Sequence, residues 1–227
     1  MQPVWQSWQD EFMEVQLNDV EVRVLGSLME KESTTPEYYP LSLNALCAAC
    51  NQKSNRDPVM SLDEDTVLAA IEHLKANGMA LDISGGEHRV HKYSHRLGEV
   101  FNFDRREQMV MCVLMLRGPQ TVGELRGRMA RVYAFDGLAE VESILGRLSE
   151  RTPPLTQKLD RQPGEKEPRF AHLLSGEVAR TPPHAAAAPA RVSPPARLSP
   201  IEERVASLET ELAELKRQFD VLRKYFE

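Results

Sequence analysis

The sequence predicts an α+β fold that is mainly α-helical with small β-hairpins. Apolar residues recur at helical spacing between turn signals, two short alternating segments follow each third helix, and the whole order occurs twice along the chain. Three helices followed by a two-stranded hairpin are the layout of a winged helix-turn-helix domain. We therefore expect two such domains in tandem, residues 17–97 and residues 98–180, followed by a C-terminal coiled-coil helix.

In the first domain, each predicted helix begins with a residue that can cap its N-terminus. Asn18 precedes an apolar face and has Glu21 three residues later, a pair typical of a capping box. Ser42 can cap the second helix. Ser61 with Glu64 predicts another capping box for the third helix, which ends at an Asn-Gly pair. The segment MALDISGGEHRVHKY then alternates around two glycines, as a β-hairpin does.

The second domain repeats this order. Asp104 with Glu107 predicts a capped first helix, and Thr121 with Glu124 a capped second one. The first helix is apolar on every side over residues 109–116, so we expect it to lie between the two domains or at a dimer contact. A hairpin over LTQKLDRQPGEKEPRFAHLL closes the domain. The third helices align with a constant offset of 74 positions, which places Val67, Ile71 and Leu74 on Val141, Leu145 and Leu148.

Three segments flank the two domains. Residues 1–16 form an N-terminal extension, and residues 181–200 are a Pro/Ala-rich linker whose composition cannot build a core. In residues 201–227 the apolar positions alternate in steps of three and four, which is the heptad pattern of a coiled coil. We expect self-association as a dimer through this helix; the other interpretation is an amphipathic helix packed on its own chain. The seam positions are Val205, Leu208, Leu212, Leu215, Phe219 and Leu222.

The totals exclude several classes of protein. A net charge of −6 over 227 residues is unlike the strongly basic body of a dedicated nucleic-acid coat. No run of residues has the length needed to cross a bilayer, and the first residues lack the pattern of a secretory signal. Three cysteines, an odd number, do not suggest a disulfide framework. We therefore expect a cytoplasmic protein.

Four stretches of the sequence resemble the YceH-like family of uncharacterised bacterial proteins. They are LNDVEVRVLGSLMEKESTTPEYYPLSLNALCAACNQKSNRDPVMSL, GGEHRVHKY, LRGPQTVGELRGRM and FAHLLSGEV, and they span about residues 17–178. The resemblance implies two winged-helix domains in one chain, in agreement with the periodicity. It implies no activity, because the family is uncharacterised, and it does not extend to the three flanking segments.

No catalytic chemistry is evident. The sequence contains no Gly-rich phosphate loop, nucleophile elbow or His-Glu-x-x-His motif, so we expect no enzyme and no cofactor. Cys47 and Cys50 form a Cys-x-x-Cys, but on a helix they share one face with Leu43 and Leu46, and a structural zinc site requires four ligands. The other cysteine, Cys112, lies in an apolar run. We interpret the pair as core residues and expect no metal site; a redox role is the alternative.

A nucleic-acid-binding hypothesis depends on where positive charge lies. The third helix of a winged unit would enter the major groove, yet the first such helix opens with Asp63, Glu64 and Asp65, and the second is acidic too. We therefore expect contacts with phosphates and not with base edges. The candidate residues for binding nucleic acid or a partner are Lys53, Arg56, Arg89, Lys92, Arg126, Arg128 and Arg131.

The connection between the second and third helices of the first domain, NQKSNRDPVM, is long. Helix-turn-helix corners usually contain about 3–4 residues, and this one contains roughly ten. It is either a structural corner or a functional surface that carries Lys53 and Arg56.

Two functions are consistent with these patterns. The first is a self-associating, regulator-like protein that binds nucleic acid, in which a dimer would combine four winged domains. The alternative is a protein–protein interaction adaptor whose winged domains hold another protein, which the acidic third helices favour.

Overall fold

The computed structural model describes residues 16–83, 90–130, 132–161 and 164–176, all within one compact unit bounded by Met1 and Thr181. Over these ranges the fold is α+β, with seven α-helices and two small antiparallel sheets. The predicted N-terminal extension up to residue 15, the linker and the coiled coil lie outside the described residues. The same is true of Arg89, Arg131 and the six seam positions.

The first half of the fold is three helices and a three-stranded sheet. Its strands have the order β1-β3-β2, with Leu41 opposite Tyr93 and Leu81 opposite Ser94. A short 3-10 helix, Pro36–Tyr38, precedes the sheet. The elements are α1 Asp19–Thr34, β1 Leu41–Ser42, α2 Leu43–Cys50, α3 Glu64–Ala76, β2 Ala80–Asp82 and β3 Lys92–His95.

The caps of the first half agree with the sequence in two helices out of three. Asn18 accepts hydrogen bonds from the first turn of α1 and forms the predicted capping box with Glu21, and Ser42 caps α2. The prediction that Ser61 caps α3 is wrong. Asp63 occupies that position and accepts the backbone N–H of Thr66 at 2.8 Å, so α3 starts later than the sequence pattern suggests.

The second half has the same order of elements. Asp104 and Thr121 form both predicted capping boxes, and Gly118 ends the first of these helices with a φ of 67°, which a residue with a side chain rarely adopts. A short helix, α4, joins the two halves. The elements are α4 Leu97–Val100, α5 Arg105–Arg117, α6 Val122–Met129, α7 Leu138–Ser149, β4 Thr156–Lys158 and β5 Phe170–His172.

The two halves also share a detail that the sequence pattern does not reveal. In the first half, the residues just before α2 pair with the hairpin, because Leu41 lies opposite Tyr93. In the second half, Gln120 just before α6 bridges Phe170 of the second hairpin. Each half therefore brings a third extended segment to its hairpin.

The core of the fold runs along the contact between α1 and α5. Every residue from Met109 to Leu116 is buried, as predicted for a helix lying between the halves. The two helices approach closely at Gly26, where a Cβ would lie only 2.8 Å from a methyl carbon of Leu116. Cys112 donates a weak hydrogen bond from its thiol to the Gly26 carbonyl at 3.5 Å.

A polar cluster also joins the halves. Glu32 of α1 accepts hydrogen bonds from His95 Nε2 at 3.0 Å and from the side-chain amide of Gln108 on α5 at 2.6 Å. The ring nitrogen Nδ1 of His95 accepts the Leu97 backbone N–H, so we assign the proton to Nε2. Among the described residues, no helix combines the length and the apolar composition required to cross a membrane.

Candidate functional site

The connection between α2 and α3, residues 51–63, is held by Arg56. The side chain of Arg56 is 0% exposed and donates to both carboxylate oxygens of Glu30, at 3.1 and 2.6 Å. Its remaining hydrogens go to the carbonyl oxygen of Ala49, from two nitrogens, and to that of Asn55. All five guanidinium donors are thus used inside the fold. We therefore correct the interpretation of Arg56 as a contact residue: its charge is neutralised internally.

A second buried arginine supports the same connection from α1. Arg23 donates to the carbonyl oxygen of Cys50 at 3.2 Å and to that of Pro58 at 2.6 Å. These two residues lie on either side of Arg56 in the chain. Burial, and secondarily the charge of Arg56, lowers the pKa of Arg23. Two carbonyl dipoles therefore face this charge, while Nε of Arg23 has no hydrogen-bond partner among the described residues.

The connection also reaches the second half. The backbone N–H of Asp57 donates to the carbonyl oxygen of Leu116, near the end of α5, at 2.9 Å. Within the connection, Asn51 and Leu62 exchange two hydrogen bonds of 2.7 Å. The extra length of this corner thus joins α1, α2 and α5, which favours the structural interpretation over a binding surface.

The other first-half candidates lie at the surface. Lys53 is exposed, and within the described ranges it forms no ion pair. Lys92 of β3 is half-buried. Near them, Glu64 and Asp65 are exposed at the start of α3, and Glu64 accepts the side-chain amide of Asn44 at 3.2 Å. The exposed surface of α2 and α3 is therefore neutral to acidic.

Helix α6 of the second half carries the exposed positive charge. Arg126 and Arg128 are both exposed, and Arg128 lies 3.9 Å from Glu124 on the same helix. Arg169, at the base of the second hairpin, donates to the same carboxylate at 2.8 Å. Arg169 also donates to Glu165, at 3.1 and 3.3 Å, so three arginines and two carboxylates leave this surface with one net positive charge. The core side of the helix consists of Val122, Leu125 and Met129.

The third helix of the second half is less acidic at its surface than its sequence suggests. Glu140 accepts a hydrogen bond from Arg106 at 3.2 Å and one from the backbone N–H of Asp136 at 3.0 Å. Glu142 remains exposed. The electrostatic objection to a polyanion therefore applies to α3 more strongly than to α7.

A side-chain contact between the first and third helices occurs at equivalent positions of the two halves and was not predicted from the sequence. Glu21, from the capping box of α1, lies 2.6 Å from His73 on α3. Glu107, from the capping box of α5, lies 3.7 Å from Arg147 on α7 and 2.8 Å from Arg151. The offset that aligns the third helices also aligns His73 with Arg147, so the sequence repeat could have indicated that these two residues make equivalent contacts.

The cysteines are part of the core. Burial raises the pKa of Cys50 to about 11 and raises that of Cys112 as well, and both side chains are buried. Cys47 is half-buried; burial, together with the charges of Glu64 and Asp63, raises its pKa too. High pKa values keep thiols protonated and unreactive. In the part of the chain that the structure describes, no group of three or more His, Cys, Asp or Glu side chains is placed to hold a metal ion.

The chain matches one family model and is similar in sequence to bacterial proteins of that kind. A family model described as a protein of unknown function, DUF480, matches residues 17–165. A UPF0502 protein of Solibacter usitatus is 54% identical over 215 residues, 95% of this chain and 100% of the relative. One of Citrifermentans bemidjiense is 61% identical over 165 residues, 73% of this chain and 76% of the relative. The predicted resemblance to an uncharacterised bacterial family is confirmed, and the similarity extends beyond residues 17–165.

Proposed function

The chain belongs to the DUF480 family of proteins of unknown function, and from this premise we propose that it is a non-enzymatic tandem winged-helix protein that binds nucleic acid mainly through phosphates. The observation that carries the proposal is the exposed positive charge of Arg126 and Arg128 on α6. Positive side chains that are free to reach phosphates supply most of the affinity in sequence-independent binding.

The order of elements supports a winged-helix arrangement. Each half has three helices and then a hairpin, and in each half a residue before the second helix, Leu41 or Gln120, pairs with the last strand. In helix-turn-helix proteins the first helix of the motif crosses the phosphate backbone and the second lies in the major groove. In the second half, α6 and α7 would take these two places.

A titration tests the proposal. The purified full-length protein is titrated against labelled random-sequence duplex DNA at low and at moderate salt, and binding is followed by fluorescence anisotropy. Binding through phosphates predicts that log K falls linearly with log salt, by a slope of about 0.9 per phosphate contact. No binding at low salt would sink the nucleic-acid hypothesis.

We propose further that the chain self-associates, as a dimer, through the heptads of residues 201–227. The regular spacing of its apolar positions supports this. Two chains would bring several phosphate-binding surfaces together and raise the effective concentration of each. Light scattering of a variant truncated after Arg180 is expected to give a smaller assembly than the full chain. An unchanged assembly would contradict the coiled coil.

A protein-interaction adaptor is the second candidate. It is favoured by an exposed apolar surface on the first sheet, formed by Leu81 of β2 and by Ile83, which follows that strand and donates its backbone N–H to Lys92 of β3; they are 43% and 42% exposed. The neighbouring helix α3 is acidic at its start. If the full-length protein does not bind DNA at low salt, variants with Leu81 and Ile83 substituted are the first to compare with the wild type in a search for protein partners.

A further inference from the structure

We propose that, within the part of the chain that the structure describes, the outward face of α6 binds phosphates and the corresponding face of α2 serves the fold instead. The inference rests on the proposed function. It goes further because it assigns unequal roles to two halves that share one architecture, and because it names the surface that touches the nucleic acid and the surface that does not.

The two helices can be superposed by their buried residues. Leu46 of α2 and Leu125 of α6 are both 0% exposed, and so are Cys50 and Met129 four positions later in each helix. With these pairs matched, every other position of α2 has a counterpart in α6. Arg126 and Arg128 then correspond to Cys47 and Ala49.

In the first half, both of these positions are covered by the 51–63 connection. The thiol of Cys47 donates to the carbonyl oxygen of Leu62 at 3.3 Å, and Ala49 is 2% exposed, with its carbonyl receiving Arg56. No charged side chain occurs in α2 at all. At its outward face, Asn44 donates to the carboxylate of Glu64. A phosphate at this face would meet repulsion and no cation.

In the second half, the corresponding connection, residues 130–137, is shorter, and the flanking positions of α6 are exposed. Arg126 and Arg128 project from these flanks and are exposed. Arg169 of the hairpin shares the Glu124 carboxylate with Arg128 and also donates to Glu165 and to the Pro119 carbonyl. Two exposed cations thus occupy the positions where the first half has a buried alanine and a covered thiol.

The centre of the outward face of α6 is flat. Successive residues of an α-helix are about 100° apart around its axis, so Arg126 and Arg128 flank Gly127 on its two sides. A Cβ at Gly127 would meet no atom within 4 Å, and one at Gly123 would meet only the Thr121 hydroxyl, at 4.0 Å. A sugar-phosphate backbone can therefore approach the helix closely, with an arginine reaching it from either side. The two arginines supply the positive charge, and the two glycines allow the ligand to come close to the helix.

The first arm of the test removes charge. In the full-length protein, Arg126→Gln with Arg128→Gln is expected to weaken binding of random-sequence duplex DNA roughly tenfold or more and to reduce the salt slope by about 2. The matched control is Lys53→Gln with Lys92→Gln, which removes the same charge from the first half. Its affinity and slope are expected to stay close to those of the wild type.

The second arm changes shape without changing charge. Gly127→Leu is expected to fold normally, because the position is open and helical, and to bind DNA several-fold more weakly because the side chain holds the backbone away. Ala48, exposed on α2, occupies the corresponding position of the first half. Ala48→Leu is therefore the matched control and is expected to leave binding unchanged. Circular dichroism of each variant confirms that the fold is retained.

The outcomes separate the two proposals. If the wild type does not bind DNA at low salt, the proposed function fails, and the inference fails with it. If the wild type binds but the α6 variants bind equally well, or if the first-half variants lose as much affinity as they do, the inference alone is overturned. Loss confined to the α6 variants supports the inference.

Discussion

Replacing Arg56 by methionine is expected to destabilise the protein severely, although the residue lies in a connection and not in a helix. Methionine keeps an unbranched chain of similar reach and removes every donor. The substitution removes five hydrogen bonds: two to the Glu30 carboxylate, two to the Ala49 carbonyl and one to the Asn55 carbonyl. Removing one partner of a buried ion pair costs about 3–5 kcal/mol. Because the Glu30 side chain is 14% exposed and can recover some water, we expect about 3 kcal/mol.

A double-mutant cycle isolates the pair. Glu30→Gln keeps a hydrogen-bond acceptor for Arg56 and removes the charge, so it is expected to cost less than Arg56→Met. Combining the two substitutions is expected to cost less than their sum, with a coupling of about 1–3 kcal/mol, since the residues are in direct contact. Lys53→Met, at an exposed position of the same connection, is the control and is expected to change stability by less than about 0.5 kcal/mol.

Far-UV circular dichroism during urea unfolding is the suitable assay, because both tryptophans precede residue 16, where the described residues begin. In a thermal scan, a loss of about 3 kcal/mol corresponds to roughly 6–12 °C for a chain of this size. A loss below about 1 kcal/mol for Arg56→Met would refute the reasoning. Arg56 would then behave as an exposed arginine does.

Three further predictions follow from the described residues. Gly127→Ala is expected to raise stability by about 0.5–1 kcal/mol in urea unfolding, because alanine favours the helix and its methyl group meets nothing within 4 Å. A maleimide at mildly alkaline pH is expected to modify Cys47 slowly and to reach Cys50 and Cys112 only after unfolding, as mass spectrometry with and without urea would reveal. Burial lowers the pKa of His172 from 6.5 to about 4. Between these two pH values the unfolded chain binds more protons than the folded chain, so the free energy of unfolding falls as the pH drops, by up to about 3 kcal/mol. His172→Gln is expected to flatten this dependence in unfolding experiments run across the interval; an equally steep profile would contradict it.

Local signals in the sequence were sufficient for most helix starts. The capping boxes at Asn18, Asp104 and Thr121 involve residues within one turn of each other, so spacing alone predicts them. The start of α3 was predicted wrongly because Ser61 and Asp63 are both good caps. The hydrogen bonds between Asn51 and Leu62, eleven positions apart, hold the chain in extended form up to Leu62 and leave the cap to Asp63. Such a contact cannot be read from local spacing.

The residues of the candidate site also differ in whether local spacing predicts their position or a distant contact determines it. Arg126 was predicted as a surface residue, and it is exposed because the helical period of α6 assigns Leu125 and Met129 to the core. Arg56 was assigned to the surface because an arginine in a polar segment is usually exposed. Its partner, Glu30, lies 26 positions earlier in α1, and no periodic pattern connects the two.

The length of the first connection also accounts for the asymmetry between the halves. Two repeated units that pack through α1 and α5 need backbone contacts at the ends of these helices, where carbonyl groups lack partners. The connection supplies one such contact, from Asp57 to the carbonyl of Leu116, and Arg117 of α5 donates to the side chain of Asn55. The same connection covers the positions of α2 that are equivalent to the arginines of α6, because Leu62 accepts the Cys47 thiol and Arg56 donates to the Ala49 carbonyl. The connection of the second half is shorter, and Arg126 and Arg128 are exposed there.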